Sequence, residues 1–67
     1  NEELIWIEQT EQLEDGEIGI FYLDGNAYVK KFQNNENGTY LVSLNKKYDS
    51  IPVTENNSFK IFGRVLS

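Results

Sequence analysis

The chain has 67 residues, with 11 acidic against 6 basic side chains, a formal charge of −5, and neither cysteine nor histidine. Such a chain forms one small domain or a piece of a larger one, without a disulfide framework or the usual zinc or haem ligands, and its charge repels a phosphate backbone. With no apolar run near the roughly 20 residues that span a bilayer and no basic-then-apolar leader, a cytoplasmic protein that neither binds DNA unaided nor enters a membrane is expected.

Beginning at Glu3, Leu4-Ile5-Trp6-Ile7 is apolar, β-branched and aromatic, which predicts a buried strand. Thr10 to Asp15 reads as a polar connection. A helix over Glu8 to Glu14 would have only Leu13 as an apolar residue, and so no face to bury. Glu17 to Leu23 is the second strand, closed by Asp24-Gly25, a dipeptide suited to a two-residue hairpin with both residues at positive φ. Asn26 to Gln33 returns as the third strand. Asn37-Gly38 marks another turn before a fourth strand over Thr39 to Leu44, so the two hairpins make a meander. Asn45 to Ser50 is loop-like, Pro52 limits Ile51-Pro52-Val53 to a short edge strand, and Ser58 to Leu66 is the final strand. The adjacent acids Glu2-Glu3 and Glu14-Asp15 point to opposite faces if extended, so they read as solvated charges rather than a catalytic pair.

Alternation in the third strand places Tyr28, Lys30 and Phe32 on one face and Lys31 on the other with Ala27 and Val29. Counting back from a two-residue turn pairs Leu23 with Asn26, Phe21 with Tyr28 and Gly19 with Lys30. Lys30 is then expected beside aromatic rings, opposite a residue without a side chain, with open space next to it. A lysine kept from water gives up its proton more readily and can act as a general base. The alternative at this point is a lysine that lays its stem along apolar neighbours and keeps its charge in solvent. Gly19 has its own plain reading as a bulge or a close backbone approach.

The order of signals is more specific than any one of them. Leu4-Ile5-Trp6-Ile7, Leu13-Glu14-Asp15-Gly16-Glu17-Ile18, Asp24-Gly25, Tyr28-Val29-Lys30-Lys31-Phe32, Leu44-Asn45-Lys46-Lys47-Tyr48 and Phe59-Lys60-Ile61-Phe62-Gly63-Arg64-Val65 follow one another. This series resembles, over nearly the whole chain, the carboxy-terminal domains of LexA, lambda-type phage repressors and the polymerase accessory proteins related to them. The resemblance implies a mainly β fold, a small meander sheet or partly open barrel. It also implies a domain that dimerises and cuts its own linker with a serine activated by a lysine, in a repressor whose amino-terminal domain binds operator DNA. By position, Lys30 matches the dyad lysine and Lys31 the neighbouring basic residue that takes no part. The family's serine lies in a Ser-Met turn before the strand matching Leu4 to Ile7. Because that turn does not precede Asn1 here, the chain is expected to be a single partial domain over 1–67, inert as it stands, with no cofactor and no metal. Signal peptidases share the dyad, but Gln33 to Gly38 replaces the glycine- and proline-bearing segment expected after their lysine. From the residues alone, the competing reading is a small SH3-like barrel that binds peptides through Tyr22, Tyr28, Tyr40 and Tyr48.

Overall fold

The computed structural model describes residues 4–66; Glu2 and Glu3, read above as solvated charges, lie outside them. Six strands form: β1 (Ile7–Gln9), β2 (Ile18–Leu23), β3 (Asn26–Asn35), β4 (Gly38–Val42), β5 (Ile51–Val53) and β6 (Phe59–Val65). They make one antiparallel sheet in the order β1-β6-β2-β3-β4-β5. The mainly β meander expected from the sequence is therefore what folds, as an open sheet.

The β2–β3 hairpin sets the register. Asp24 and Gly25 take φ of 49° and 87°, the left-handed pair that matches the twist of a two-residue hairpin. Leu23 pairs with Asn26, Phe21 with Tyr28 and Gly19 with Lys30, as counted from the turn. Asp24 is also fastened from outside. It accepts hydrogen bonds from Asn57 Nδ2 at 2.6 Å and from the Ser58 amide at 2.9 Å, which ties the hairpin tip to the loop before β6.

Because side chains alternate, one face of the sheet collects the core: Phe21, Leu23, Phe32 and Leu41 are buried, with Leu13, Tyr28, Ile51, Val53, Phe59 and Ile61 packed against them. Phe21 stacks on Phe32 and on the half-buried Phe59, at 5.9 and 5.8 Å between ring centres, and burying the Phe21 and Phe32 rings stabilises the fold by about 1.5–3 kcal/mol each. On the opposite face Tyr22 meets Phe62 edge-on at 5.8 Å.

Three expectations change. Leu4, Ile5 and Trp6 are exposed and precede β1 rather than forming a buried strand. The reason is that β6 offers Ile7 to Gln9 only the partners Val65 to Gly63, and past Ile7 the pairing ends with the Leu66 amide donating to the Trp6 carbonyl at 2.8 Å. Leu13, the one apolar residue of the polar connection and expected to have no face to bury, packs on the core. Finally, the four tyrosines do not line one groove. Tyr28 lies on the core face opposite Phe21, whereas Tyr22 and Tyr40 pair with Ala27 and Gln33 on the other face and Tyr48 sits in the loop after β4. An open sheet with its aromatics so divided is not the closed, grooved barrel of the competing reading.

Candidate active site

Lys30 stands on the core face of β3 between Tyr28 and Phe32, half-buried, with its Nζ 5.8 Å from the centre of the Tyr28 ring. At that distance the ammonium is attracted to the negative face of the ring, a contribution of about 0.5–1 kcal/mol where water still has access. Lys31, one residue on, is exposed on the opposite face between Ile18 and Val42. Among the described residues the ion pairs are those of Arg64 with Glu8 and Glu17, and Lys30 belongs to neither.

The flank of Lys30 is not the open space expected from the glycine opposite it. A Cβ on Gly19 would lie 2.3 Å from Leu13 Cδ1, 3.1 Å from Phe21 Cζ and 2.9 Å from the carbonyl oxygen of Gly63. Gly19 is thus required by close approach, and the volume its side chain vacates is taken by Leu13.

The segment before β2 is fixed along its length. The amides of Gly16 and Phe32 donate to the carbonyls of Phe32 and Glu17, both at 2.7 Å, and the Asn34 amide donates to Asp15 Oδ1 at 2.9 Å. On the far side Arg64 donates from Nη2 to the Gln12 carbonyl at 3.3 Å and from Nη1 to Glu8 Oε1 at 2.6 Å. Its Nε lies 2.9 Å from Glu17 Oε2, close enough for charge attraction but without the alignment of a hydrogen bond. The Glu14 amide donates to the other Glu17 oxygen at 2.7 Å. That bond first, and Arg64 after it, hold the Glu17 carboxyl below the usual carboxylate range. The same two carboxylates, Glu8 before Glu17, raise the Arg64 guanidinium. Sequence reasoning missed Arg64, Glu8 and Glu17, because their convergence depends on β6 pairing with both β1 and β2.

No described serine is hydrogen-bonded to Lys30. Ser43 follows Val42, the partner of Lys31, so it would come next in register beside Lys30, but β4 has ended and its Oγ accepts the Asn45 amide at 3.1 Å. The Ser58 amide is bound to Asp24. Among the described residues no cluster of three or more acidic, histidine or cysteine side chains could hold a metal ion, and no helix is long and apolar enough to cross a membrane. The arrangement therefore offers one half-buried lysine on the core face of β3 as its chemically distinctive group.

The family described as Peptidase S24-like matches this chain over residues 1–66. The chain is also 36% identical, over 66 residues, to the LexA repressor of Carboxydothermus hydrogenoformans, an alignment that takes in 96% of this chain and 31% of that repressor. It spans less than a third of the length of that relative.

Proposed function

The chain belongs to the peptidase S24-like family and is a LexA-like, repressor-type domain; from that premise we propose that Lys30 is the general base of a serine/lysine dyad that cuts the repressor's own chain. The observation that carries this is the placement of the two lysines. Lys30, paired with Gly19, faces the core beside Tyr28, while Lys31 is exposed on the other face. Its partner is a serine supplied by sequence beyond these 67 residues, approaching the core face of β3. The free amine takes the hydroxyl proton as the serine oxygen attacks the scissile carbonyl, then returns it to the leaving amine. No cofactor enters these steps.

The same reading makes the chain part of a cytoplasmic, phage-type or SOS-type regulator that self-associates and grips operator DNA through a separate amino-terminal domain. Extending the chain with a segment that carries the Ser-Met turn should give slow self-cleavage. Lys30→Ala should abolish it and Lys31→Ala should leave most of it, since the two side chains leave the strand on opposite sides. Full cleavage without Lys30 would overturn the assignment, and equal loss from both substitutions would reduce it to a folding defect.

A further inference from the structure

Taking Lys30 as the general base, we propose that Leu13 is its positioning residue: the Leu13 side chain fills the gap over Gly19 and walls the Lys30 amine from water on the β2 side. The geometry begins with the sheet. Residues directly opposite each other on antiparallel strands bring their Cβ positions to about 4.5–5.5 Å, so whatever occupies the Cβ position of Gly19 lies against the stem of Lys30. Leu13 Cδ1 is 2.3 Å from that position. On its other flank along β3 Lys30 meets the Tyr28 ring.

A leucine on a free loop could not hold such a place, since the entropy of an unrestrained segment would exceed the gain from one side chain. Here the loop is not free. Arg64 grips it at the Gln12 carbonyl, immediately before Leu13. After Leu13, the Glu14 amide is bound to Glu17, Asp15 to the Asn34 amide and Gly16 to the Phe32 carbonyl. Leu13 is therefore anchored on one side to β6 and on the other to the strand that bears Lys30. A strand whose Gly19 carried any side chain would displace Leu13. The glycine and the leucine work as one unit: the first leaves the space and the second fills it with a group that can neither bind water nor share the proton of the amine.

The test reads each lysine separately in the 67-residue chain. Acetylation with a water-soluble N-hydroxysuccinimide ester is followed by peptide mass spectrometry that resolves Lys30 from Lys31. In the parent chain Lys30 should react several-fold more slowly than Lys31. In Leu13→Ala the gap should close, with Lys31, Lys46, Lys47 and Lys60 unchanged, and Leu13→Ile should restore it. The Phe32 amide, bound to the Glu17 carbonyl at 2.7 Å, reports folding by hydrogen exchange. If it loses protection in Leu13→Ala, the same ratio is read in Leu13→Val. A Lys30-to-Lys31 ratio that stays at the parent value in the folded variant overturns the proposal. Because the readout needs no serine, it is independent of the dyad reading: cleavage that persists in Lys30→Ala would sink the general base and leave the shielding intact.

Discussion

Gly19 and Lys30 face each other across β2 and β3, and the space between them belongs to neither, since Leu13 from the preceding loop occupies it. A backbone vacancy on one strand thus becomes an apolar wall for a cation on the next.

The first consequence concerns pH. On the proposed mechanism a lysine must be free of its proton to act as the base, so self-cleavage of the extended chain should accelerate as pH rises. Initial rates of fragment appearance across the alkaline range check this, and a rate independent of pH would remove a lysine base from the mechanism.

Gly19→Ala is expected to destabilise the sheet. Its new Cβ meets Leu13 Cδ1 at 2.3 Å, which a side chain can relieve by swinging away, but also the Gly63 carbonyl at 2.9 Å, which is backbone on the paired strand β6. Overpacking of this kind costs about 1–3 kcal/mol, read as a lower midpoint in urea with the slope of the transition unchanged. Wild-type stability in this variant would mean that β2 and β6 can separate at no cost.

Acid should loosen the clasp around Arg64. The Glu17 carboxyl is held below its ordinary value of 4.5, first by the Glu14 amide and then by Arg64. Its contribution to stability is thus present in full above that value and is lost as pH falls through the lowered one. Between about pH 6 and about pH 3 the urea midpoint of the parent chain should fall further than that of Glu17→Gln, which has no carboxylate to protonate. Parallel pH profiles for the two proteins would show that the carboxylate stabilises nothing.

Trp6, the one tryptophan, is 65% exposed beside the outer edge of β1. Among the described residues nothing pairs with that edge, and an unpaired edge flanked by apolar side chains is a template for another chain, whereas the opposite edge is blunted by Pro52 in β5. Raising the protein concentration should shift Trp6 emission to the blue in step with the mass seen by sedimentation. Growth in mass without any change in Trp6 would place the association elsewhere.

What the sequence disclosed was local. Asp24-Gly25 dictated its own turn, the turn dictated the register, and the register put Lys30 and Lys31 on opposite faces. Pro52 likewise marked an edge. What stayed hidden was set by contacts between distant parts of the chain. Leu4 to Trp6 has the composition of a buried strand, yet composition does not say whether a covering layer exists, and those residues are exposed. Leu13 has no apolar neighbour at helical or strand spacing, so no periodicity could mark it; its burial comes from hydrogen bonds that fold the loop over Gly19. Arg64 reads as an ordinary surface cation until β6 is laid between β1 and β2.

The strand order also dictates a schedule. β2, β3 and β4 are joined by tight turns and can pair as soon as they are made, but β1, which precedes them, has its partner in β6, which follows them all. Closing so long a loop is entropically costly and slow compared with forming a hairpin. Lys30 is therefore set in its strand early, while the Arg64 grip on the Leu13 loop arrives with the final strand. During synthesis Lys30 is therefore in place before its wall is secured, so a nascent chain leaves that amine unguarded until β6 emerges.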